Sequence, residues 1–168
     1  PKTKYRLDEI PYLAFVDNST AENNIGAIGK NSTTNTTCPQ DLVIPTKVID
    51  NGVEYTVTKI NSFASMTRLK SVEISDTVTS YTARNFQGCS NLEEVRLSTS
   101  NTGIQFAMFQ ECGKLRTINL EHITNIQDQA FLQCENLEMN DIPPLCTMIG
   151  NSAFARCLKI GPVLHIPR

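Results

Sequence analysis

The sequence has no tryptophan, only two histidines (His122 and His165) and eight glycines in 168 residues. Two histidines without a CxxC pair exclude the usual zinc-binding spacings. The glycines never form GxGxxG, so no phosphate-cradling loop is present. No apolar run approaches the roughly 18–20 residues of a membrane-spanning helix. Basic excess is also missing. Fifteen Lys and Arg against seventeen Asp and Glu give a net charge of -2 and a pI of about 5.7, whereas a nucleic-acid binder concentrates positive charge. No Ser or Cys nucleophile has a His and an acid in a defensible arrangement, so the sequence predicts no enzyme, no metal and no cofactor. From Pro1 onward there is no basic segment followed by an apolar one, so no signal peptide is read, which by itself assigns no compartment. What is present is 40% apolar residues, enough to build a core and to exclude bulk disorder. Ser, Thr and Asn number 11, 18 and 15, a composition suited to turns and exposed strand faces.

The ordering of these residues is periodic. Phe63, Phe86, Phe109, Phe131 and Phe154 step by 22 or 23 residues, and Cys89, Cys112, Cys134 and Cys157 follow the last four at a spacing of three. Met66 takes the Cys place in the first copy. An aliphatic comes three residues later (Leu69, Leu92, Leu115, Leu137, Ile160), and alternation follows in Val72-x-Ile74, Val95-x-Leu97 and Ile118-x-Leu120. The fourth copy places Asn140 in the middle slot, and the fifth, Val163-x-His165-Ile166, slips by one. Alternation of period two reads as a strand with one buried face. Strands recurring every 22 or 23 residues in one direction pair only in parallel, one per coil of chain, about 4.8 Å apart. A single coil cannot bury its apolar face, and stacking makes the core continuous. A second apolar position lies five residues before Phe, at Tyr81, Ile104, Ile126 and Ile149. Ala130-Phe131 and Ala153-Phe154 are expected to open a short turn of α- or 3₁₀-helix.

This pattern resembles the leucine-rich repeats of the BspA-like family, whose rung reads I-x-x-I-G-x-x-A-F-x-x-C-x-x-L-x-x-I-x-I-P. Ile149-Gly150-Asn151-Ser152-Ala153-Phe154-Ala155-Arg156-Cys157 is the nearest copy, with 124–134 close behind. Leu42-Val43-Ile44-Pro45, Asp50-Asn51-Gly52 and Tyr55-Thr56-Val57-Thr58-Lys59-Ile60 resemble the family's opening. Departures are local: Ile60 lies three residues before Phe63, Pro follows the strand only at Pro143 and Pro167, and the second and third rungs lack the Gly and the Ala. The resemblance implies an α/β-type solenoid, a right-handed leucine-rich-repeat superhelix with a parallel β-sheet, short helical turns and an N-terminal β cap. It also implies a cell-surface or secreted location.

Residues 1–41 are expected to form a β cap and a polar loop, and 42–168 an array of about five rungs, open or continuing at its C-terminal end. Two short strands broken at Pro11 are expected to cover the N-terminal edge of the array. Residues 17–41, with 12 Asn, Ser and Thr in 25 positions, read as an exposed mobile loop. Its sequons at Asn18, Asn31 and Asn35 are glycan acceptors in a eukaryotic secreted protein and meaningless in a bacterial one. Asn51-Gly52 between apolar alternations predicts a type I′ hairpin.

The phased cysteines read as reduced, buried small hydrophobes rather than a disulfide ladder. Cys38 and Cys146 fall outside the phase, and a bridge between them stays open at this point. Phe63, Phe86, Phe109, Phe131, Phe154, Cys89, Cys112, Cys134 and Cys157 thus form the expected core ladder. His122 and His165 are expected to be exposed and inert. The strand residues between the buried ones, Ser71, Glu73, Glu94, Arg96, Thr117, Asn119, Met139 and Asp141, form the candidate binding face. A non-enzymatic protein-binding or adhesion module, meeting a protein or cell-surface ligand, is the leading expectation. The alternative is a structural spacer or assembly component of fibre or virion type, stacking end to end through its terminal rungs.

Overall fold

A computed structural model describes residues 4–10, 13–20, 24–31 and 37–165. Parallel strands recur once per repeat on two walls of the chain's coils. On one wall, β4 (Asp41–Ile44), β7 (Ser71–Ile74), β9 (Glu94–Arg96) and β11 (Thr117–Ile118) form a four-stranded parallel sheet. Leu42 lies opposite Val72, Val72 opposite Val95, and Val95 opposite Ile118. On the second wall, β3 (Ile25–Lys30), β6 (Val53–Ile60) and β8 (Ser80–Tyr81) run in parallel, and β10 (Gly103–Ile104), β12 (Asn125–Ile126) and β14 (Met148–Ile149) form a three-stranded sheet. Ile28, Ile60 and Tyr81 share one register, as do Ile104, Ile126 and Ile149. Tyr81, Ile104, Ile126 and Ile149 are the positions five residues before Phe, so the apolar spacing translates directly into a second column, buried as far as Ile126 and exposed at Ile149.

Between the walls lies the aromatic stack. Phe63, Phe86, Phe109, Phe131 and Phe154 pack face to face with centroid separations of 5.8, 5.6, 5.5 and 5.3 Å. The first four are fully buried. Phe154 and Cys157, in the last rung, are half-buried because nothing described stacks on them. The cysteine column has a polar duty. The thiols of Cys89, Cys112, Cys134 and Cys157 donate to the carbonyls of Phe63, Phe86, Phe109 and Phe131 at 3.3, 3.1, 3.1 and 3.1 Å. Each thiol thereby finds a buried acceptor one rung back, and the Phe86, Phe109 and Phe131 carbonyls take this bond in addition to the N–H of their own turn. All six cysteines are free, so the open bridge between Cys38 and Cys146 does not form. Cys38 is buried at the start of the core, while Cys146 donates to Met148 O near the other end.

The expected helical turns are corrected. No helix forms between residues 41 and 165. The Phe corner consists of successive hydrogen-bonded turns, such as Gln87 N to Arg84 O and Cys89 N to Phe86 O at 3.3 and 3.1 Å. Left-handed residues lie two before Phe (Arg84, Ala107, Gln129, Ser152) and two after it (Ser65, Gly88, Glu111, Gln133, Arg156). They break helix propagation and aim N–H groups along the stack: Arg84, Phe86 and Gly88 donate to Phe106, Met108 and Gln110 carbonyls at 2.9, 2.9 and 2.8 Å. This ladder of rung-to-rung bonds replaces the i→i+4 bonds of a helix and offsets the strain of left-handed non-glycine residues, about 1–2 kcal/mol each.

The polar-loop expectation for 17–41 is overturned at residues 25–30, while 21–23 and 32–36 lie outside the described residues. Residues 25–30 form β3, with Ala27 and Ile28 buried, and β3 bonds to β6 on one side and to β2 (Leu13–Asp17) on the other. With β4 it makes an additional rung ahead of the first Phe. Of the two expected cap strands, only β2 covers the edge of the stack. β1 (Lys4–Arg6) instead pairs in parallel with β5 (Lys47–Asp50), and a 3₁₀ turn at Leu7–Glu9 follows it; Pro11 lies outside the described residues. β5 and β6 form the expected hairpin. Asn51 and Gly52 have φ of 47° and 80°, both positive as a type I′ turn requires. Asn85, buried, donates its amide to Ile60 O and Asn61 O at 3.1 and 2.8 Å, bracing the rung where Ile60 lies only three residues before Phe63.

Candidate binding surface

The outward residues of the first wall divide into three groups. Glu73, Glu94, Arg96, Thr117 and Asp141 are exposed. Arg96 is tied into the surface: its guanidinium lies 3.9 Å from Glu73 and 3.5 Å from Asp76 and donates to Ile74 O at 3.2 Å. The Thr99 amide bond to Asp76, with help from the Thr99 hydroxyl and Arg96, holds that carboxyl below its ordinary value. Ser71 is half-buried and donates to Asp41 at 2.7 Å. The face is therefore predominantly acidic, with its one arginine already paired.

Asn119 serves the scaffold instead. Its Oδ1 accepts from Leu97 N at 2.6 Å and its Nδ2 donates to Leu97 O at 3.2 Å. The side-chain amide thus continues toward β9 the ladder that β11 leaves after two residues. Met139 also departs from expectation. It is half-buried against the core, whereas Asn140 is exposed. The cause is visible in the sequence: a strand cannot turn a carboxamide inward without a partner, so the alternation inverts in this rung. β13 (Met139–Asp141) consequently leaves the four-stranded sheet and pairs with β15 (Ile160–His165) through an irregular register. A slit of about 210 Å³ opens there, floored by Ile118, Leu137, Met139 and Ile142.

His122 is half-buried rather than exposed, its Nε2 donating to Ser98 O at 3.1 Å. His165 lies at the end of β15. Among the described residues no group of three or more His, Cys, Asp or Glu is placed to hold a metal. Burial pushes the Cys89 thiol up to about 12 and those of Cys38 and Cys157 up to about 11, the reverse of what an activated nucleophile requires. A second concavity, a cleft of about 350 Å³ lined by Glu93, Lys114, Arg116, Asn136 and Lys159, lies on the turns that lead into the strands. It is absent from the sequence candidates, although its signal was present: cations two residues after every second Met or Cys.

Residues 56–165 match the BspA type leucine-rich repeat region, in six copies. No curated protein matches the chain. Among solved structures, a leucine-rich repeat protein from Bacteroides ovatus is 26% identical, with a TM-score of 0.75 over 87% of this chain and 38% of that one. A leucine-rich cell surface protein from Faecalibacterium prausnitzii is 29% identical, with a TM-score of 0.69 over 88% of this chain and 36% of that one. The leucine-rich repeat protein of T. pallidum, 20% identical with a TM-score of 0.74 over 89% of this chain and 67% of that one, shares the fold. The chain thus spans less than two fifths of the first two structures. With the repeat, its register and its Phe-Cys core in agreement, the chain belongs to the BspA type leucine-rich repeat family.

Proposed function

We propose that this chain is a non-enzymatic interaction module of a cell-surface or secreted solenoid, binding a protein or cell-surface ligand in an adhesive role. The observation that carries the reading is the outward sheet face: Glu73, Glu94 and Thr117 stand exposed on neighbouring strands of one parallel sheet held rigid by the core. Such a face offers an extended, preorganised surface. Its acidity fits a basic partner. The Faecalibacterium relative is a leucine-rich cell surface protein, which supports the location. No helix among the described residues is long and apolar enough to cross a membrane. The test is adhesion of cells to a surface coated with the chain. Glu73→Lys with Glu94→Lys should abolish attachment at unchanged thermal stability; equal attachment by variant and parent refutes the face.

End-to-end assembly is the second reading, and exposed apolar residues in the last rungs favour it. Leu145, Met148, Ile149 and Leu158 are 56, 47, 41 and 74% exposed. Sedimentation velocity across a concentration series decides it: Leu158→Lys should suppress self-association, and a concentration-independent monomer refutes the reading.

A further inference from the structure

We propose that the turns leading into the strands carry a docking stripe for a linear anionic polysaccharide with one acidic unit per disaccharide. This surface is separate from the outward sheet face, and the inference stands or falls independently of it. Two residues after each Met or Cys of the core ladder the chain reads Arg68, Asn91, Lys114, Asn136, Lys159. The cations occupy alternate rungs. The intervening asparagines lie down across the preceding rung, Asn91 Nδ2 donating to Thr67 O at 2.8 Å and Asn136 Nδ2 to Gly113 O at 2.7 Å. Each Asn thus leaves the space between two cations open, and around Asn136 that space is the 350 Å³ cleft.

Arg68, Lys114 and Lys159 are exposed, and among the described residues none of them is within ion-pairing distance of a carboxylate. A parallel column two residues further on reads Lys70, Glu93, Arg116, Glu138, with neighbouring rungs joined by Glu93 N to Lys70 O, Arg116 N to Glu93 O and Glu138 N to Arg116 O at 2.8, 2.9 and 3.1 Å. Glu138 is paired with Arg116 at 3.4 Å. The two columns carry five cations against two carboxylates on a chain whose net charge is -2, so the positive potential is local.

Spacing selects the ligand. Cations two rungs apart are separated by about 10 Å, the order of one disaccharide unit. An extended acidic peptide presents side chains of one face about 7 Å apart and falls out of step. No aromatic ring lines the cleft, so a neutral sugar finds no stacking surface and recognition depends on charge. Glu93, facing the cleft and without an ion-pair partner among the described residues, opposes an anion, which fixes the sign of one test.

Hyaluronan-derived di-, tetra- and hexasaccharides, with one carboxylate per disaccharide, serve as probes in titration calorimetry, with maltohexaose as the neutral control. Affinity should climb with each added disaccharide and fall as salt shortens the roughly 8 Å screening length. Lys114→Ala and Lys159→Ala should each weaken hexasaccharide binding two- to fivefold, whereas Lys47→Ala, on the β5–β6 hairpin and paired with Glu54, leaves it unchanged. Glu93→Gln should strengthen it. The proposal is overturned if Glu93→Gln weakens binding, if Lys47→Ala costs as much as Lys114→Ala, if a poly-glutamate peptide binds as tightly as the hexasaccharide, or if maltohexaose matches it.

Discussion

Truncating one ring of the aromatic stack measures how far the core behaves as a continuous column. Phe109 is fully buried and lies between Phe86 at 5.6 Å and Phe131 at 5.5 Å, with rings 4° and 10° from parallel. Phe109→Ala removes the buried ring and opens a cavity bounded by two rungs that are each hydrogen-bonded to the Phe109 rung between them and cannot close freely. The expected loss is about 3–5 kcal/mol. Phe154 supplies the internal comparison, because it is half-buried and, among the described residues, stacks on Phe131 alone at 5.3 Å. With one neighbouring ring and part of its surface already wet, its truncation should cost about half as much. A double-mutant cycle between positions 86 and 109 should return a coupling of about 0.5–1.5 kcal/mol, and one between 63 and 154, four rungs apart, close to none. Urea melts followed by far-UV circular dichroism supply these values from midpoints at constant slope. A Phe109→Ala loss below about 1 kcal/mol, or a Phe154→Ala loss as large, would falsify the continuous stack.

Asn119→Ala leaves both backbone groups of Leu97 without their partner and should cost about 1–3 kcal/mol, read in the same melts; a neutral result would mean that the ladder closes without the amide. Ile28→Ala, in the rung that composition hides, should lose about 2–5 kcal/mol, whereas a true surface loop would tolerate it with no change in midpoint. Stability should also fall at alkaline pH. Burial raises the Cys38, Cys89 and Cys157 thiols from 9.0 to about 11, 12 and 11, so their stabilisation is complete below about pH 9 and is lost as pH rises toward 11–12. The unfolded chain releases thiol protons that the folded chain retains, at about 1.4 kcal/mol per pH unit for each thiol. Cys89→Ala should flatten that decline in urea midpoints measured from pH 8 to 10.5, and an unchanged slope would show that the thiol ionises in place.

Much of this protein is local and periodic, and for that reason legible. The Phe and Cys spacing contains the coil length, the direction of the strands and the residues of the core, because a rung must place the same atoms at the same height to stack. The Asn51-Gly52 turn is legible for a similar reason: two adjacent positive φ values favour that pair of residues. Composition misled where the environment was not repeated in the sequence. Ile25–Lys30 lacks the Phe-Cys signature and is surrounded by Asn and Thr, yet it is a buried strand because β6 would otherwise present an open edge to water. The binding face was readable as alternation, but alternation assumes a uniform phase. Asn140 could be read as a polar intruder; only the packed structure decided that the strand would rotate it outward, bring Met139 in and part the sheet, since burying an unpaired carboxamide costs more than breaking a short ladder. Asn119 is the complementary case. Its outward position followed from the sequence, but its service to Leu97 depends on two chain segments meeting 22 residues apart, a contact that no local pattern encodes.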